Sequence, residues 1–166
     1  MTGNQMSFLS TTPQQKHALT LYLDGAARNN PGPAGAGIVF KKDSIIVGQY
    51  YFYLGKKTNN QAEYLALILG LILAKQYLKD QETLSIYSDS ELLIQQMTGH
   101  YRVKNPVLQQ FFNVVCLLSK DINPKFNHIS RIHNKEADLL ANQAIDTHNA
   151  VPEQYKRVLH EYHITL

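Results

Sequence analysis

Four acidic residues stand where an acid is either idle or chemically useful: Asp24 in "LYLDG", Glu63 in "NNQAEY", Asp89 in "IYSDS" and Asp138 in "KEADLL". Glu63 is the most telling, because it is the only charged residue of "TNNQAEYLALILGLILA" (58–74) and borders one of the most apolar runs in the sequence. An ionised carboxylate withdrawn from water costs several kcal/mol unless something pairs with it. Singly, each acid is ordinary: one in a helix first turn is a dipole partner, and one at a strand end is a turn former. Brought together, they would repel and resist ionising unless cations were present. Hard Mg²⁺ supplies that charge and keeps positions open for phosphate oxygens and water. A cluster of these four would therefore be a metal site for phosphate chemistry.

Clustering depends on the elements that carry the acids. "ALTLYLDG" (18–25) alternates apolar and polar residues and runs into the turn formers of "AARNNPGPAGAG", which predicts a first strand ending near Asp24. Two β-branched and aromatic runs around Lys41-Lys42-Asp43-Ser44 predict a hairpin, giving three antiparallel strands in succession. From an N-cap at Asn59 or Asn60 the period changes, with Ala62, Leu65, Ala66, Leu69 and Leu73 at helical spacing and Glu63 in the first turn. "TLSIYSD" (83–89) is a strand able to lie parallel to the first, with that helix as the crossover, so that Asp24 and Asp89 become neighbours. Helices over 90–98 and 106–119, a strand over 126–132 and a helix capped by Asn134, with Asp138 in its first turn, complete the order βββαβααβα. That order predicts a five-stranded mixed α/β sheet with helices on both faces.

Composition narrows the class. The 166 residues are 44% hydrophobic, enough for one domain with a real core, and Leu65 to Ala74 is too short to span a bilayer. The first 16 residues read as a loose polar tail without a secretory signal, which favours the cytoplasm. The single cysteine, Cys116, sits among apolar residues and is expected in the core; it excludes an internal disulfide and a multi-cysteine zinc site. A net charge of +3 is compatible with a polyanionic partner without demanding one. Beyond about residue 147, Tyr155, Val158, Leu159 and Tyr162 fall at helical spacing after Pro152, so residues 148–166 form either a frayed tail or a docked helix.

Four segments carry a resemblance: "LYLDGAARNNPGPAGAGIVF", "TNNQAEYLALILGLILA", "IYSDSELLIQQMTGHYRVKN" and "RIHNKEADLLANQAID". In that order they resemble the motifs of the type 1 ribonuclease H family, over about residues 20–146 of a catalytic domain drawn at 17–147. The resemblance implies a ribonuclease H-like fold and an Asp-Glu-Asp-Asp metal site on Asp24, Glu63, Asp89 and Asp138. It implies two Mg²⁺ ions, with Mn²⁺ a substitute, that hydrolyse the RNA strand of an RNA/DNA hybrid to 5′-phosphate and 3′-hydroxyl ends. By the same resemblance Asn30, Asn59, Asn60 and Gln61 lie where the family contacts the minor groove, and Thr58 near a DNA phosphate. Arg102 and Lys104 could add basic contacts after the fourth strand.

Two departures from many family members stand out. The region between the helices after the third acid has only Arg102 and Lys104, with no Trp anywhere, so the basic protrusion is missing. "HISRIHNKEAD" is a short turn without the Gly-rich loop that carries a mobile His, leaving Arg131 or His133 as auxiliary candidates. The expected protein is a compact, monomeric, cytoplasmic nuclease that needs neither a membrane nor a protein partner. The alternative is a weak or inactive nucleic-acid-binding module on the same fold; retention of all four acids favours the enzyme.

Overall fold

The computed structural model describes residues 18–80 and 82–166; the expected tail at 1–16 lies outside them. The strands are β1 (Ala18–Ala27), β2 (Gly32–Lys42), β3 (Ile45–Lys57), β4 (Thr83–Ser88) and β5 (Lys125–His128), in the spatial order β3-β2-β1-β4-β5. The first three are antiparallel neighbours, while β4 and β5 join in parallel. This is the mixed five-stranded sheet that the element order implied. The helices are α1 (Asn59–Ala74), α2 (Glu91–Met97), α3 (Pro106–Ser119), α4 (Lys135–Thr147) and α5 (Glu153–Glu161), with a 3₁₀ turn at Arg131–His133 before α4.

Strand alternation divides the core between two faces. Leu19, Leu21 and Leu23 of β1 and Ala36, Ile38 and Phe40 of β2 pack with α1, which is buried from Ala62 through Ala74. Val39 points the other way, onto Ala137 and Leu140 of α4, with Tyr22 and Tyr51 beside them. On that face α4 lies so close to β2 that a Cβ on Gly37 would stand 2.0 Å from the Ala137 carbonyl oxygen. Only glycine permits that approach.

Several local expectations shift. The cap of α1 is Thr58, not Asn59 or Asn60: its hydroxyl accepts from Gln61 N while Gln61 Oε1 accepts from Thr58 N, a reciprocal capping box that two asparagines cannot make. Glu63 consequently falls one position beyond the first turn. The last strand ends at His128 instead of 132, because β4 supplies no partner beyond Ser88. Asn134 precedes α4 but gives it no side-chain cap. Cys116 is exposed, since α3 buries Leu108, Phe111, Val115 and Leu118 and turns Cys116 outward. Beyond residue 147 a docked helix is observed: Leu159 of α5 is buried, and Tyr155 meets Phe52 and the Gln76 side chain.

Candidate active site

The site begins where the parallel pairing of β1 with β4 stops, although β1 itself runs on to Ala27, past the end expected near Asp24, because β2 continues to pair with it. β1 and β4 pair through Tyr22 and Tyr87, and two residues further on each chain reaches an acid, Asp24 and Asp89. Asp24 is only 6% exposed. Its neighbour Gly25 donates its backbone N–H to Glu63 Oε2 at 3.0 Å. A Cβ on Gly25 would lie 2.2 Å from the Glu63 nitrogen, so a side chain here would push the start of α1 and its acid off the strand. From the opposite face α4 brings Asp138, whose Oδ1 accepts from Arg131 Nη2 at 2.8 Å.

These four carboxylates, Asn59, Ser90, Arg131 and Asn142 line a single polar cavity of about 430 Å³. Its electrostatics are those of acids forced together. Burial pushes Asp24 up to about 7, and repulsion from Asp89 and Asp138 and a hydrogen bond with the Asp89 carboxyl add to this, while Arg131 opposes it. Burial likewise drives Glu63 well above the usual carboxylate range, helped by Asp24 and Asp89 and resisted by the Gly25 N–H and Arg131. Four acids against one exposed guanidinium leave the cluster short of positive charge. A hard divalent cation fits that deficit and that all-oxygen donor set. Among the described residues no group of three or more acids, histidines or thiols stands close enough to hold a metal ion as placed, so the four carboxylates line the cleft without closing on one point.

The remaining candidates divide by position. Asn59 lines the cleft, and its Oδ1 accepts from Ala27 N. Asn30 sits beside it, accepting from Asn59 N at 2.9 Å, and Asn60 is exposed on the first turn of α1. Thr58 and Gln61 spend their side chains on the capping box. Arg102 and Lys104 are exposed in the α2–α3 connection and do not line the acid cleft. Of the auxiliary pair, Arg131 is in the site; His133 instead pairs its Nδ1 with Ser130 Oγ. Gly25, Ser90, Asn134 and Asn142 lay outside the sequence expectations for the site. Gly25 looked like a turn residue and Asn134 like a cap. Asn142 was legible, being four residues after Asp138 and so on the same helix face, where its Nδ2 donates to the Asp138 carbonyl.

A family model described as reverse transcriptase-like matches residues 22–144. The ribonuclease HI of Halobacterium salinarum is 36% identical over 136 residues, covering 81% of this chain and 67% of that protein. The chain belongs to the type 1 ribonuclease H family. Among solved structures, the ribonuclease H1 of the same halophilic archaeon superposes with a TM-score of 0.74 at 36% identity, covering 78% of this chain and 98% of that one. LC11 ribonuclease H1, solved in complex with an RNA/DNA hybrid, gives 0.74 at 38% identity, with 78% and 97% covered. A bifunctional protein of Mycobacterium tuberculosis is 36% identical over 131 residues, and this chain spans 35% of its length. Ribonuclease H fold and family thus agree with the observed strand order.

Proposed function

We propose that the chain is an endoribonuclease that hydrolyses the RNA strand of RNA/DNA hybrids, leaving 5′-phosphate and 3′-hydroxyl ends. The observation that carries this reading is the convergence of Asp24, Glu63, Asp89 and Asp138, from four separate elements, on one polar cleft of a type 1 ribonuclease H fold. Asp24 and Asp89 are the core metal ligands; Glu63 and Asp138 hold the flanks. When bound, two Mg²⁺ ions, or Mn²⁺ in their place, supply Lewis acidity at the scissile phosphate and charge to set against the acids. No covalent intermediate on the protein is required.

The chain's own residues position the duplex and the proton inventory. Asn59 and Asn30, linked through the start of α1, present amides beside the acids where a ribose 2′-OH can be read across a wide minor groove. Asn60 joins them from the exposed first turn. Thr58 and Gln61 act by fixing that turn, and Arg102 and Lys104 add long-range attraction to the backbone. Arg131 pairs with Asp138 at 2.8 Å and is the auxiliary group nearest the chemistry; His133 pairs with Ser130 instead. No helix among the described residues is long and apolar enough to cross a membrane. We assign a cytoplasmic monomer.

The test is cleavage of an end-labelled RNA/DNA hybrid, with double-stranded RNA, double-stranded DNA and single-stranded RNA as controls, in Mg²⁺, Mn²⁺ or chelator. Hybrid-only cleavage that requires metal and is lost in Asp89→Asn is the expected result. Hybrid binding without cleavage in either metal would replace the enzyme with a binding module, and cleavage of DNA would overturn the substrate.

A further inference from the structure

We infer that Asn134 is a positioning residue for Asp89, a strap that sets the spacing of the acid-bearing elements. The residue is 1% exposed and reaches three of them at once. Its side-chain Nδ2 donates to the Leu23 carbonyl oxygen of β1 at 2.9 Å and to Asp89 Oδ1 at 2.7 Å, using both amide hydrogens. Its own carbonyl accepts the Asp138 N–H at 3.0 Å. Leu23 immediately precedes Asp24, so one asparagine ties the backbone beside Asp24, the carboxylate of Asp89 and the backbone of Asp138.

The way Asn134 is spent argues that this is its purpose. An asparagine just before a helix ordinarily turns its oxygen to the helix N–H groups, which satisfies them cheaply. Here that cap is forgone, and Oδ1 is buried without a hydrogen-bond partner. A buried acceptor left unpaired is a cost that stability alone would remove. What the arrangement gains is a carboxylate at the cleft with one oxygen pinned by a neutral donor. The pinning group is an amide, which holds Asp89 without neutralising it as a lysine would. Groups that orient metal ligands in this way act on affinity through geometry.

The inference rests on the proposal that Asp89 holds divalent metal, and the experiment separates the two. Mn²⁺ binding to the full chain is measured by calorimetry for the wild type, Asp89→Asn, Asn134→Ala and the double variant, alongside hybrid affinity in chelator and kcat against KM. Asn134→Ala is expected to weaken Mn²⁺ binding roughly tenfold and to lower kcat, leaving hybrid affinity in chelator and KM within about twofold. In the Asp89→Asn background the same change should cost metal affinity nothing further. Wild-type metal affinity in Asn134→Ala, with only a lower Tm, would overturn the inference. Mn²⁺ binding unaffected by Asp89→Asn would instead overturn the metal site itself. Should Asn134→Ala fail to fold, the Asn134 side-chain amide resonances of the ¹⁵N-labelled wild type decide. They are expected to shift as Mg²⁺ is titrated, and resonances indifferent to saturating Mg²⁺ would count against the strap.

Discussion

Glu63 and Glu82 follow opposite electrostatic rules at opposite ends of the same molecule. Glu82 is bound by everything a carboxylate wants: the Lys79 N–H donates to it and Lys42 Nζ reaches both its oxygens, at 3.0 and 2.9 Å, together holding it below the usual carboxylate range. Glu63 is buried among acids, receives the Gly25 N–H and is pushed well above that range. The difference teaches where the fold stores unfavourable charge. A solved ion pair closes the far side of the sheet, while the near side keeps its acids unsolved and relies on apolar α1 to hold one of them in place. Such a frustrated cluster, in a fold otherwise consistent with its sequence, is the pattern the proposed active site calls for.

The comparison breaks most severely when an acid of the near end is removed. Asp89→Asn is expected to lower hybrid hydrolysis on the order of a thousandfold or more, the loss of several kcal/mol of transition-state stabilisation. The same variant relieves Asp24 of a neighbouring charge and should melt at a higher temperature than the wild type in chelator. Cleavage kinetics and a chelator melt on one preparation check both. A variant that loses activity and stability together would mean that the acids are structural.

Gly25→Ala is the next largest. Its Cβ would meet backbone at the start of α1, not a flexible side chain, so the helix must shift. The expected cost is about 3 kcal/mol in urea unfolding, together with lost activity as Glu63 leaves the cleft. An alanine that is tolerated with full activity would show that α1 is not held by this contact.

How much of this was legible in the residues depends on whether the deciding contact was local. The sheet order followed from alternation and from α1 serving as a parallel crossover, so Asp24 and Asp89 could be set side by side before any coordinates. Thr58 capping α1 was missed because "TNNQ" offers three capping side chains in a row, and only the Gln61 reciprocal bond selects among them. Cys116 was placed inside because its neighbours are apolar, although helical spacing from Leu108 and Phe111 already turned it outward. Asn134 was not legible as a site residue at all. Its partners Leu23 and Asp89 lie 111 and 45 residues away, and no local pattern separates a strap from a cap.

A smaller effect sharpens the contrast through pH. Burial and the neighbouring acids raise Asp24 from 3.8 to about 7 in the folded protein. A raised acid contributes stability that is present below its unfolded value and lost as pH rises toward about 7. Metal must displace that proton, so Mg²⁺ binding should be roughly tenfold weaker at about pH 6 than at about pH 8, with proton release detectable by calorimetry in buffers of different ionisation enthalpy. Glu82 runs the other way: its depressed value contributes stability above about pH 4.5 that is lost on acidification. In chelator, lowering the pH from 7 to 5 should therefore ease the near end before it harms the far one. A Tm that falls steadily over that interval would contradict the raised Asp24.

The smallest expected effect isolates the far end. Lys42→Met removes the cation from Glu82 and from the Tyr77 carbonyl while keeping a comparable apolar stem, and the pair is only partly buried, so the loss should be about 1 kcal/mol or less. The change lies at the C-terminal end of β2, well along the strand from Gly37, the residue paired with Asp24, and so hybrid cleavage and Mg²⁺ affinity should stay within about twofold of the wild type. High salt should narrow the stability difference between Lys42→Met and the wild type, because what was removed is a screenable pair. If Lys42→Met instead weakened metal binding, the two ends would be coupled through β1 and β2, and the frustration at the acids would no longer be a local property of the cleft.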